Sequence, residues 1–119
     1  MTNYPTTAPK NNVLTYHAAI AAGHHPKSYS YDKDQINIGA YHAILDFMIW
    51  SKTVPAIDCY LRVKQTGQRI TLQVYRDSRQ QFRLEETLIA QLPFGTVLAV
   101  VVERNSKQIP VLRRAAPVA

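Results

Sequence analysis

A chain of 119 residues with 46% hydrophobic and 18% charged residues is long enough for one real core, too short for two, and too apolar to stay disordered. Its net charge of +6 is unevenly placed: residues 1–56 carry four Lys against three Asp, and residues 57–119 carry two Lys and eight Arg against five acids. The single cysteine, Cys59, excludes an intrachain disulfide. No run approaches the roughly 18 apolar residues of a membrane span, and the opening MTNYPTTAPKNN lacks the apolar core of a signal peptide. The expectation is a cytoplasmic protein with no membrane partner.

Residues 1–11 offer little to bury and are expected to form a flexible leader. Asn12 is placed to cap a short helix through VLTYHAAIAA, with Val13, Tyr16 and Ile20 on one face and Gly23 at its end. His24-His25-Pro26 breaks it, because the residue before proline is driven out of the α region. Pro26 to Lys33 reads as an extended connector in which Tyr29 and Tyr31 point the same way, flanked by Lys27 and Lys33.

The spacing predicts a second, longer helix from Gln35 to Lys52, capped by Asp32 or Asp34. Tyr41, Ile44, Leu45 and Met48 follow the i, i+3, i+4, i+7 pattern of a core-facing stripe. Phe47, Ile49 and Trp50 widen its apolar surface beyond one stripe, which suggests a protein interface or a homodimer contact.

Ile57 to Arg76 reads as a β-hairpin. Ile57, Cys59, Leu61 and Val63 alternate with Asp58, Tyr60, Arg62 and Lys64, and Ile70, Leu72 and Val74 alternate with Arg69, Thr71, Gln73 and Tyr75. A two-residue turn at Thr66-Gly67 would pair Val63 with Ile70, Leu61 with Leu72 and Cys59 with Val74. The outer face then sets Lys64 opposite Arg69, Arg62 opposite Thr71, Tyr60 opposite Gln73 and Asp58 opposite Tyr75.

Beyond it, DSRQQ makes a polar loop with Arg76, Arg79 and Arg83 close together. Residues 84–92 read as a brief strand passing into one helical turn or more. Pro93-Phe94-Gly95 is a turn, and Thr96 to Val102 is apolar at nearly every position, as a strand buried on both faces would be. Arg104 to Lys107 turns the chain into Gln108 to Arg113, where Pro110 argues for an edge strand. Residues 115–119 are expected to be a mobile tail. The expected fold is a single α+β domain over residues 12–114, with N-terminal helices packed on a mainly antiparallel sheet of four to five strands. A small SH3- or OB-like barrel is the variant.

The four histidines, His17, His24, His25 and His42, supply no metal motif. His42 and Asp46 lie four apart, but a hydrogen bond on a helix face accounts for that pair. No nucleophile beside a base and no glycine-rich phosphate loop is present, so an enzyme is possible but unsupported and no cofactor is expected. Basic charge with aromatic interleaving on one pleated face suits a single nucleic-acid strand. Phosphates would lie on Arg62, Lys64, Arg69, Arg76, Arg79 and Arg83, and bases on Tyr60 and Tyr75. The alternative is a protein-binding adaptor or subunit that docks through Phe47, Ile49 and Trp50 or through the sheet edge at residues 108–113.

Overall fold

A computed structural model describes residues 12–52, 56–75 and 92–118, with Tyr75 described by its backbone alone. Five strands, β1 (Gly39–Trp50), β2 (Ala56–Val63), β3 (Arg69–Tyr75), β4 (Val97–Arg104) and β5 (Pro110–Pro117), close into a barrel in the order β1-β2-β3-β5-β4. Every pairing is antiparallel except β3 with β5, which meet in parallel at Gln73 and Val111. Among the described residues the one α-helix is α1 (Tyr16–Ala21), followed by a 3-10 turn at Pro26–Ser28. The barrel variant therefore fits, and the expected layer of N-terminal helices on a sheet does not.

The largest correction is β1, a strand where the spacing predicts a helix. Leu45 pairs with Leu61 and Phe47 with Tyr60, so Asp46 is an extra residue, a β-bulge. Ala43 and Leu45 face the barrel core before it, and Met48 and Trp50 face it afterwards. The step from Leu45 to Met48 is three residues instead of two, which makes Tyr41, Leu45 and Met48 imitate a helical stripe. Ile44, which that stripe needs, is only half-buried. Lysine-free and rich in aromatic and β-branched residues, the segment has the composition of a strand.

The hairpin exists, two residues out of the expected register. Leu61 pairs with Ile70, Cys59 with Leu72 and Ile57 with Val74, joined by the five residues 64–68, in which Gly67 takes φ 73° and the Gln68 carbonyl accepts from the Val63 N–H at 2.8 Å. A slip of two preserves every face, so alternation alone does not distinguish the registers. Ile57, Cys59, Leu61, Ile70, Leu72 and Val74 are all buried as expected. Burial pushes the Cys59 thiol up to about 12.

Residues 97–104 are covered on one face only: Leu98, Val100 and Val102 are buried while Ala99 is exposed. The second apolar face expected there reflects small Ala and Val residues along a barrel wall. Pro110 opens β5, where no ladder N–H is needed, and β5 lies between β4 and β3. The edge expected at residues 108–113 is thus absorbed into the closed barrel, and the strand runs on to Pro117 through the expected tail. The expectations for residues 1–11 and 84–91 fall outside the described residues. No helix among the described residues is long and apolar enough to cross a membrane.

Leu61 and Leu72 stand fully buried on facing strands. Truncating either to alanine is expected to cost about 2–5 kcal/mol in urea unfolding, and losses below about 0.5 kcal/mol at both would contradict this core.

Candidate nucleic-acid interface

The outer face of β1, β2 and β3 is built over a second, smaller cluster in which Phe47, Ile49, Tyr60 and Ala19 are buried. The Asp46 bulge produces it, because it turns Phe47 and Ile49 outward. Helix α1 covers them. Thr15, not Asn12, is its cap: its Oγ1 accepts from the Ala18 N–H at 3.1 Å. At the other end the Gly23 N–H donates to the Ile20 carbonyl and the His24 N–H to the Ala19 carbonyl, both at 3.0 Å, with Gly23 at φ 90°. This paired C-terminal lock sets the direction of His24, whose ring stacks on Phe47 at 4.4 Å. Phe47 in turn stacks on Tyr60 at 4.4 Å.

After the 3-10 turn the chain runs alongside β3 as a short strap, with Ser30 in a parallel bridge to Ile70. The Ser30 N–H donates to the Arg69 carbonyl, and the Thr71 N–H to the Ser30 carbonyl. Tyr29 and Tyr31 do point the same way, and both pack edge-on against Tyr60. The Tyr29 hydroxyl donates to Asp46 Oδ2 at 2.7 Å, and the Tyr31 and Tyr60 hydroxyls share a hydrogen bond of 2.7 Å.

These contacts revise the expected site. Tyr60 is 2% exposed, so it supports the strap and offers no open ring to a base. Phe47 and Ile49 lie beneath α1, and Trp50 packs partly against the barrel core, so the apolar helix face of the docking alternative is absent. Arg62 and Arg69 are directly opposite one another, in place of Lys64 and Arg69, an arrangement unfavourable for like charges. Asp46 relieves it by accepting from Arg62 at 3.1 Å. Lys64 is exposed on the turn. The Tyr75 side chain and Arg76, Arg79 and Arg83 lie outside the described residues. His42 and Asp46 are four residues apart on a strand, about 13 Å at 3.3 Å per residue, and no group of three metal-ligating side chains occurs among the described residues.

Two adjoining clefts follow the strap. One of about 420 Å³ is lined by His24, His25, Asp46, Arg62 and Arg69, and the other of about 440 Å³ by Lys27, Gln35, Gly67, Gln68 and Arg69. They share Ser28, Tyr29 and Arg69, and together form one groove with three cations against one carboxylate. Arg69 lies over the Tyr29 ring at 5.9 Å and has no carboxylate partner among the described residues. The sequence singles out Lys27, Tyr29 and Tyr31 as a basic and aromatic connector, but nothing in it places them beside Arg69. The sequence brings His24 and Asp46 forward only as weak metal-ligand candidates and does not place them beside Arg62; His24 also meets Phe94 edge-on at 5.9 Å.

The chain matches no family model, no curated protein and no solved structure. The groove therefore has to be interpreted from its own chemistry.

Burial, and then the hydrogen bond to Asp46, push the Tyr29 phenol up to about 12; burial also raises Tyr31 and Tyr60. Neutral phenols are favoured by the folded state. Their contribution is intact below the unfolded value near pH 10 and is lost as pH rises towards about 12. A phenolate absorbance titration run beside circular dichroism should show late-titrating tyrosines that ionise together with loss of structure. Titration of every tyrosine near pH 10 with structure intact would contradict a closed cluster.

Proposed function

We propose that this barrel is a non-enzymatic nucleic-acid-binding protein that holds a single strand along the groove, with backbone phosphates on Arg69, Lys27 and Arg62 and with Lys64 extending the path at the turn. The observation that carries this reading is the continuity of the two clefts through Arg69, a cation with no carboxylate partner among the described residues, exposed beside a tyrosine ring. Cations spaced along an open groove, with ring faces at its edge, suit a flexible polyanion better than a compact ligand. A strand order with β3 parallel to β5 agrees with an OB-like barrel, a fold that often takes oligonucleotides on the face of strands 2 and 3. That agreement is analogy at the level of the fold and adds only modest weight.

Arg62 contributes less than Arg69 in this reading, because Asp46 already engages its guanidinium. Replacing Lys27 and Arg69 together by glutamine is expected to flatten the log K versus log salt slope for single-stranded oligonucleotides by about 1.4, two contacts at roughly 0.7 each. Both side chains are exposed, so the thermal melt should move little. Wild-type affinity and slope in a correctly folded double variant would exclude the groove as the binding path.

A further inference from the structure

A third cleft, of about 220 Å³, opens on the other side of the strap from the basic groove. Tyr16 and the exposed Tyr31 form its walls, the buried Tyr60 lies beneath, Trp50 borders it from the barrel core, and Lys52 and Asp58 complete its lining. Its volume is below the roughly 300–1,000 Å³ typical of pockets for larger organic ligands, a size suited to one planar ring system. Asp58 is half-buried, and its one hydrogen-bond partner among the described residues is Gln73, whose Nε2 donates to Oδ1 at 2.9 Å. Oδ2 accepts nothing there. Burial raises the Asp58 carboxyl above its ordinary value, and the Gln73 bond offsets this only in part. Oδ2 is open to the cleft, where a ligand donor would take the place of water on a partly desolvated carboxylate.

We infer that this cleft is a nucleobase site that takes guanine, stacked against the aromatic walls with its Watson–Crick edge on Asp58. The inference deepens the single-strand reading of the basic groove by giving the bound strand a base preference. Guanine presents two adjacent donors on that edge, N1–H and the N2 amine, and an ionised carboxylate is an acceptor at both oxygens. Oδ1 keeps a lone pair free after accepting from Gln73. Adenine and cytosine set one amine beside an acceptor nitrogen, which would face the second carboxylate oxygen. Uracil and thymine have one N–H between two carbonyls, and hypoxanthine lacks the amine. Proteins that read single strands do so by stacking a splayed base on aromatic rings and bonding its Watson–Crick edge. Lys52, whose Nζ lies 5.0 Å from the centre of the Tyr16 ring, stands at the rim where the phosphate of that nucleotide would leave. An aromatic cleft with one carboxylate could also take a cationic side chain. The Lys52 ammonium and the net charge of +6 oppose a cationic partner and favour a polyanion.

Trp50 is the single tryptophan of the chain and borders the cleft from its seat against the barrel core, so a change in its fluorescence follows occupancy. Guanosine 5′-monophosphate is expected to change that fluorescence saturably, with an affinity about ten- to a hundredfold above that of inosine, adenosine, cytidine and uridine monophosphates. Asp58→Asn, whose side-chain oxygen can still accept from Gln73, should abolish the preference while leaving the thermal melt in place. Tyr31→Ala removes an exposed wall and should weaken guanosine monophosphate about tenfold, on the scale of lost base stacking, without altering the salt slope of oligonucleotide binding. Equal affinity for all five nucleotides, a preference that survives Asp58→Asn in the folded protein, or a response to arginine amide or trimethyllysine and none to guanosine monophosphate would each overturn the inference. Oligonucleotides that bind with the groove's salt dependence but without favouring guanine would overturn this site and leave the groove reading standing. An Asp58-dependent response to guanosine monophosphate, with no oligonucleotide binding through Lys27 and Arg69, would support the base site and refute the groove.

Discussion

The outer surface of this barrel depends on one extra residue in β1. An antiparallel strand with unbroken alternation would send Leu45, Phe47 and Ile49 to one side and turn Met48 and Trp50, which now face the core, to the other. The bulge at Asp46 reverses the parity midway. Leu45 and Met48 both reach the barrel core, while Phe47 and Ile49 turn out to seat α1. Two apolar layers on opposite faces of one 12-residue strand give an α1 of only six residues something to bury, and a helix that short does not persist without docking. The same bulge sets the Asp46 carboxylate between Tyr29 and Arg62. The inner core, the outer cluster and the charge balance of the groove thus share one geometric cause.

That charge balance grades the cations of the groove. Arg62 faces Arg69 across the strands, and their repulsion is relieved for one of them only, because Asp46 reaches Arg62. The relieved arginine is partly neutralised and held in place, while the other stays exposed over a tyrosine ring. An exposed pair such as Arg62 and Asp46 contributes little to stability, typically under about 1 kcal/mol, so its larger effect is on where positive potential remains. The ring cluster of Tyr29 and Tyr31 on the buried Phe47 and Tyr60 plays the complementary part. Ring contacts of this kind hold the strap against the sheet, and the strap divides the basic groove from the aromatic cleft of Asp58 and Trp50.

What the sequence by itself determined is which residues of the hairpin go inside. Alternation in Ile57 to Val63 and Ile70 to Val74 is a property of the pleat, so burial could be assigned to each residue without knowing the partner strand. Cys59 in the core, the turn at Gly67 and the extended, same-sided Tyr29 and Tyr31 were legible for equally local reasons. The hairpin register was not, since a slip of two leaves every face unchanged. Nor was β1, because a bulge converts period two into a spacing that resembles 3.6, and only pairing with β2 and β4 chooses between them. The candidate site divides the same way. Arg62, Lys64 and Arg69 could be named from one strand pair, but the partner of Arg62 comes from the bulge of β1, and the exclusion of Tyr60 from the surface and the meeting of Lys27 with Arg69 come from a still earlier segment that lies against that pair. Local periodicity carries information about a residue's side of its own strand. It carries none about which distant segment will cover that side, and in this protein the covering strap decides which cations and rings remain for a ligand.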